Sequence, residues 1–259
     1  MNETIKLLND RTSLRKYANK SITPTDLQYI LQGAIRAPTA GNMMTYSIIV
    51  IQDNEKKEIL SKSCDNQPFV AKAPVVLIFV ADYQKWFEYY RINGVKEYCK
   101  KNNIEYFAPS EASLFLAMGD AIIAAQNAVV AAESIGIGSC YIGDIMEKYE
   151  FHKDLLKLPE FAFPAAMLCL GYYPEDFNIK PRDRFLQKYV VFNEEYKTLS
   201  AEEIQDMHKT TSNRPMDGNK FSADNYAQMH YVLKTGSDFS LEMARSIKEV
   251  LKIWNGKLL

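Results

Sequence analysis

Two short basic stretches have the spacing in this sequence best suited to chemistry. Arg11, Ser13 and Arg15 alternate with Thr12 and Leu14. In an extended backbone, residues i, i+2 and i+4 project to the same side. Two guanidinium forks and a hydroxyl would then converge on one point, which suits a phosphate carrying about −1.5 to −2 charges. The second stretch, Lys180-Pro181-Arg182-Asp183-Arg184, repeats the alternation. Pro181 favours an extended backbone there, so Lys180 and Arg182 would share a side. The pattern predicts either one divided anion site or two solvated basic surfaces. Spacing along the chain does not decide whether the stretches meet.

Composition narrows the setting. Lys plus Arg is 31 and Asp plus Glu is 32, for a formal net charge of −1. Such a balance has no overall attraction for nucleic acid or an anionic membrane, so an anion site must be a local cluster. The three histidines, His152, His208 and His230, have no metal-ligand spacing, and no G-x-S-x-G motif occurs. A zinc site or a histidine-based triad is disfavoured, and a bound cofactor is expected to carry any difficult chemistry. Cys64, Cys99, Cys140 and Cys169 form no C-x-x-C pair. They are expected to be thiols in a reducing compartment. Residues 1–6 lack the basic and apolar regions of a leader, and the run Ala73 to Ala81 is too short to span a bilayer. The expectation is a cytoplasmic protein with no membrane or nucleic-acid partner.

The elements that would position these residues are legible in outline. Ile5, Leu7 and Leu8 predict a short helix ending near Asn9-Asp10. Thr23 or Thr25 caps a second helix carrying Leu27, Ile30, Leu31 and Ala34, which ends before Ala37-Pro38. Strands are predicted at Tyr46 to Gln52, Pro74 to Ala81, Ala165 to Leu170 and Tyr189 to Phe192. Residues 83–109, with Tyr83, Trp86, Phe87, Tyr89, Tyr90, Tyr98 and Tyr106, form a helical excursion, either an aromatic lid or ordinary packing. A long helix is predicted from Ser110 to Ile135. Its Ala117, Ala121, Ala124, Ala128 and Ala131 make a face of small side chains, for the centre of the fold or of a dimer. Gly136 and Gly138 invite a dinucleotide-fingerprint reading, but Tyr141 occupies the third glycine position and a helix, not a strand, leads in, so that reading is rejected. The domain expectation is a core over 1–199 with a helical extension of the same domain over 200–259.

The ordered motifs resemble the nitroreductase family. Arg11-Thr12-Ser13-Leu14-Arg15-Lys16-Tyr17 is similar to its R-x-S-x-R-x-F/Y opening, and Ala37-Pro38-Thr39-Ala40-Gly41-Asn42 to its A-P-S-x-x-N loop. Gly138-Ser139-Cys140-Tyr141-Ile142-Gly143 is similar to the loop that meets the flavin ring. Leu168-Cys169-Leu170-Gly171-Tyr172 followed by Lys180-Pro181-Arg182 resembles the late strand and phosphate segment. The long tail and the Lys180-Pro181-Arg182 form resemble the branch of major oxygen-insensitive nitroreductases and NADPH-flavin reductases.

The resemblance implies an α+β fold, with a mostly antiparallel central sheet flanked by helices, in an intertwined homodimer with two FMN sites. Arg11, Ser13 and Arg15 would hold the phosphate or ribityl end of FMN, completed by Lys180 and Arg182. Thr39 and Asn42 would approach from the other subunit, Gln67 would meet the ring edge, and Tyr141, Ile142 and Gly143 would line the ring. The implied activity is ping-pong: NAD(P)H reduces the flavin, and nitroaromatics, quinones or free flavin take two electrons. An FMN-binding redox sensor with little turnover is the alternative. Met43-Met44-Thr45 stands where the family has Gln-Pro, which predicts a more apolar floor. Lys209 and Arg214 are the candidates for the nicotinamide nucleotide's phosphates. NADPH is the expected donor, although lysine lacks the planar fork of arginine.

Overall fold

A computed structural model describes residues 2–212, 219 and 221–257. The chain divides into two compact units, Met1–Lys180 with Glu242–Leu259, and Pro181–Leu241. In the first unit the order is α1 (Glu3–Asp10), α2 (Pro24–Ile35), β1 (Tyr46–Ile51), α3 (Asn54–Ser63), α4 (Pro68–Lys72) and β2 (Val75–Asp82). There follow α5 (Gln84–Ile92), α6 (Val95–Lys101), α7 (Glu111–Ser134), β3 (Ile137–Ile142), α8 (Tyr149–Leu156) and β4 (Ala162–Tyr172). The second unit holds α9 (Ala201–Ser212) and α10 (Tyr226–Lys234), and α11 (Asp238–Ile253) leads back into the first.

The four strands form one antiparallel sheet in the order β1-β2-β4-β3. Every residue of β2 is buried because both of its faces are covered. Val75, Leu77, Phe79 and Ala81 pack into the core shared with α2 and α7. Val76, Ile78 and Val80 pack on the opposite side with Leu60, Cys64 and Val70. This is the period-two alternation of a strand with an apolar layer on each side. Central β4 contains Pro164, whose missing N–H would leave a gap in the ladder. The register shifts there, with Phe79 opposite Ala166 and Val80 opposite Pro164, so Ala165 bulges out and the proline is accommodated.

Helix α7 resolves the question of its small face. Ala117, Ala121, Ala124 and Ala128 are fully buried within the chain. Gly33 of α2 lies so close to Ala131 that a Cβ on it would fall 2.6 Å from the Ala131 Cβ, and Asn127 Nδ2 donates to the Gly33 carbonyl at 3.2 Å. Small residues therefore seat α2 against α7 inside one chain. The opposite face is bulky and bare: Phe115, Leu116, Ile122 and Ile123 are 73%, 57%, 42% and 42% exposed. Among the described residues α7 is the one helix long and apolar enough to cross a bilayer, and its buried alanine face is that of a core helix.

Two expectations are corrected. Tyr189 to Phe192 is not a strand: a single 3₁₀ turn covers Gln187–Tyr189, and the Tyr189 hydroxyl bonds Asp206. Val190 and Val191 stay exposed, so β-branched side chains alone did not make a strand without a neighbour to pair with. The fourth strand is instead β3, Ile-Gly-Ser-Cys-Tyr-Ile, which the family resemblance gave as a loop and which is rich in the weak strand formers glycine and serine. Its pairing with β4 over six residues overrides that preference.

Candidate functional site

The Arg11–Tyr17 segment is extended, as its alternation predicts, and it is fastened to the sheet. Arg11 leaves α1 with φ −53° and ψ 130°. The Leu14 N–H donates to the Ser139 carbonyl at 2.8 Å, Ser13 bridges to Ser139 in parallel sense, and the Ala18 N–H donates to Tyr172 O at 2.9 Å. Two glycines opposite one another in the ladder, Gly138 and Gly171, make this close approach possible. A Cβ on Gly138 would sit 2.7 Å from Leu14 Cδ2, and one on Gly171 would strike the Tyr17 ring. Leu14 is completely buried in the resulting seat.

The two guanidinium groups carried by this segment are uncompensated. Among the described residues neither Arg11 nor Arg15 forms a salt bridge. Arg11 is half-buried and lines a cavity of about 470 Å³ with Glu133 and Tyr173. Both Glu133 carboxyl oxygens accept from the Tyr173 hydroxyl, at 3.0 and 2.9 Å. Burial pushes that carboxyl up to about 7, against the pull of Tyr173 and Arg11. Glu133 is therefore a weak counter-ion near neutral pH. Burial likewise raises the Cys140 thiol, while Arg15, Ser13 and Arg11 draw it back.

The second group of expected residues comes to the same place. Arg15 lies 5.7 Å from the centre of the Phe69 ring, two residues beyond Gln67. Gln67 Nε2 donates to Cys64 O at 3.0 Å and to Asp144 Oδ2 at 2.5 Å, and Asp144 follows Gly143 directly. Tyr141 is 37% exposed at the end of β3, and burial of its ring raises its hydroxyl pKa. Ile142 is buried. In front of Gly143 the space is open: a Cβ there would meet only Met146 Cε, at 4.0 Å. Ser13 thus lies beside Ser139 on β3, Arg15 beside Phe69 just past Gln67, and Gln67 is tied to the residue after Gly143, while Arg11 lies at the start of β3, in the cavity that also holds Gly136.

Thr39 and Asn42 lie elsewhere. Their turn has Gly41, Asn42 and Met44 at φ 55°, 57° and 50°, a run of left-handed residues that needs a firm hold. Asp120 of α7 supplies it. Its carboxylate accepts from the Thr39 hydroxyl, Ala40 N at 2.9 Å, Thr45 N at 3.1 Å and Thr45 Oγ1 at 2.8 Å. Burial raises the Asp120 pKa, but these bonds outweigh it and the net shift is downward. The excursion holds the turn from its other side, through Trp86 Nε1 to Met43 O at 2.7 Å and Lys85 Nζ to Tyr46 O at 2.9 Å. Asp120 precedes Glu133 by 13 positions, about 20 Å along a helix at 1.5 Å per residue. Within one chain this turn sits at the middle of α7 and the Arg11 cavity at its C-terminal end.

Lys180 ends the first unit and Arg182 is the second residue of the other, both exposed and outside any helix or strand. Lys209 is exposed on α9, and Arg214 lies outside the described residues. Sequence reading missed Asp120, Asp144 and Glu133. Asp120 left a signal, since it is the single charge between Glu111 and Glu133 in an otherwise apolar helix. Asp144 and Glu133 left none.

The residues present fit a flavin mononucleotide: two guanidinium groups that form no salt bridge among the described residues, for a phosphate, a half-buried amide for a ring edge, and an open approach to a strand-end glycine. Comparison with known proteins agrees. Residues 8–172 match the Nitroreductase family. An FMN reductase (NADPH) of Bacillus subtilis is 30% identical over 205 residues, covering 79% of this chain and 78% of that one. An NADPH-flavin oxidoreductase of Vibrio harveyi is 30% identical over 211 residues, covering 81% of each. The solved structure of B. megaterium NfrA2 superimposes with a TM-score of 0.78 at 29% identity, covering 100% of both chains. The chain belongs to the nitroreductase family.

Proposed function

We propose that this protein is an FMN-dependent NAD(P)H oxidoreductase that works as a homodimer and reduces small electron-poor acceptors such as nitroaromatics, quinones or free flavin. The observation that carries the reading is the Arg11–Arg15 segment, fastened to β3 at Ser139, with neither guanidinium in a salt bridge among the described residues and Arg15 beside Phe69, two residues past Gln67. Bound FMN would supply the two-electron chemistry, taking hydride from the nicotinamide and passing it on in a ping-pong cycle.

The protein's own residues would bind and orient. Arg11, Ser13 and Arg15 would hold the phosphate end, with Lys180 and Arg182 closing on it. Gln67 would meet the pyrimidine edge, and Tyr141, Ile142 and Gly143 would bring strand backbone to the ring. Thr39 and Asn42 would come from the second subunit, because within one chain their anchor Asp120 lies about 20 Å along α7 from Glu133 of the Arg11 cavity. The bare Phe115, Leu116, Ile122 and Ile123 face of α7 supports that assembly, since soluble monomers rarely leave such a patch uncovered. No side chain here is required as nucleophile or general acid, and water would serve as the proton source.

The extension over 200–259 belongs to the same functional domain in this reading. Lys209 and Arg214 would contact the nicotinamide nucleotide, with NADPH preferred, in keeping with the donor named for the two relatives. A cytoplasmic location accords with four cysteines that are all free and buried. The test is anaerobic: protein reconstituted with FMN should bleach on mixing with NADPH and recover its yellow colour with a quinone. A colourless protein that takes up no FMN would sink the reading. Bleaching without recovery by any acceptor in a screen would favour a redox sensor.

A further inference from the structure

Among the described residues, Gln67 is held at every polar atom but one. Its backbone N–H donates to Ser61 O at 2.9 Å, and its backbone carbonyl accepts from Ser61 Oγ at 2.9 Å. Its side-chain nitrogen has two hydrogens, and both are taken, by the Cys64 carbonyl at 3.0 Å and by Asp144 Oδ2 at 2.5 Å. A carbonyl and a carboxylate only accept, so turning the amide over would set oxygen against oxygen twice. The free atom is Oε1, an acceptor.

Glu147, 3% exposed, closes the turn that carries Asp144, its N–H donating to the Asp144 carbonyl at 3.1 Å, and burial followed by the Asp144 charge pushes the Glu147 carboxyl up to about 7. Lys148 and Asp65 are the other charges acting on Glu147.

We infer that Asp144 is a positioning residue that fixes Gln67 with only its Oε1 presented, so that this position selects a ligand edge carrying an imide N–H and turns away one that presents only carbonyl oxygens. The inference rests on the FMN reading. An isoalloxazine has one such donor, N3–H, between two carbonyls, and an amide locked in this sense would choose it. Gln67 would then read N3–H specifically, and Asp144, which need not touch the flavin, would set what is read.

The test compares binding of FMN and N3-methyl-FMN to the flavin-free full-length protein, by titration of flavin fluorescence. The wild type should bind the methylated flavin at least tenfold more weakly. In Asp144→Ala the amide can turn, and the discrimination should fall to within about threefold. Asp144→Asn keeps an acceptor for Gln67 Nε2 and should restore it. A side chain that merely supported the fold would weaken both flavins alike and leave the ratio unchanged. Equal binding of the two flavins by the wild type overturns the inference, as does full discrimination in Asp144→Ala. FMN binding without discrimination sinks the Asp144 assignment alone, whereas failure to bind FMN at all sinks the flavin reading and this assignment with it.

Discussion

Arg11–Arg15 and Lys180–Arg184 have the same alternating pattern in the sequence and opposite circumstances in the structure. The first is tied to β3 by the Leu14 and Ser13 contacts with Ser139, seated on the Gly138–Gly171 pair and plugged by Leu14. The second is exposed throughout, and the one hydrogen bond described within it runs from Arg184 Nη1 to the Arg182 carbonyl at 3.3 Å. The first cluster is fastened to the sheet by backbone contacts, whereas the second has no such hold among the described residues, and engaging a ligand would cost it conformational freedom. Fixing a residue's backbone costs about 1–2 kcal/mol, so equal charges should contribute unequally to affinity.

The sharpest way to break this comparison is Arg11→Ala with Arg15→Ala. Two or more charge-assisted bonds at roughly 1.5–3 kcal/mol each should weaken FMN binding at least about a hundredfold, with the melting temperature nearly unchanged. Unaltered FMN affinity in a titration would remove the ordered cluster from the site.

A comparable effect, on stability, is expected where the ordered architecture reaches the Thr39–Asn42 turn. Asp120→Ala strands the Thr39 and Thr45 hydroxyls and two backbone N–H groups, at a cost of about 3–5 kcal/mol in denaturant unfolding. Asp120→Asn should recover only part of this, since half of its amide is a donor facing donors. A loss below about 1 kcal/mol in Asp120→Ala would show that the turn holds itself.

Smaller still is a pH effect beneath Gln67. The folded Glu147 carboxyl keeps its proton to about 7, whereas an unfolded glutamate releases it near 4.3. Between those values the native state binds more protons, so its stability falls as pH rises from about 5 to 8. The contribution is on the order of 2–3 kcal/mol, and Glu147→Gln should flatten the slope. Glu133, pushed up to about 7 as well, would leave a remainder. Parallel slopes in wild type and variant would assign the proton elsewhere.

The smallest change belongs to the exposed cluster. Lys180→Ala with Arg182→Ala should weaken FMN binding about tenfold, and the deficit should shrink in high salt because exposed charges are screened. A loss equal to that of the Arg11 and Arg15 variant would erase the distinction between the two clusters.

Much of the local architecture was readable beforehand. Thr23 caps α2 by accepting from Asp26 N at 3.1 Å, the alanine spacing announces α7, and the apolar run announces β2. These features depend on neighbours within one helical turn or one pleat, and the residue types carry them. The order of the family motifs, likewise present in the sequence, pointed to the cofactor.

What required the tertiary structure lies between distant segments. The weak strand former β3 became a strand because β4 pairs with it, while Val190 and Val191 found no partner. The small face of α7 turned inward on Gly33, leaving the bulky face bare. Asp120 became the anchor of a turn 75 to 81 positions away, and Asp144 the hold on Gln67. The sequence by itself determined which residues could bind an anion. Only the fold decided which of them are held ready, because order at Arg11 and Arg15 comes from contacts with a strand more than 120 residues further along the chain.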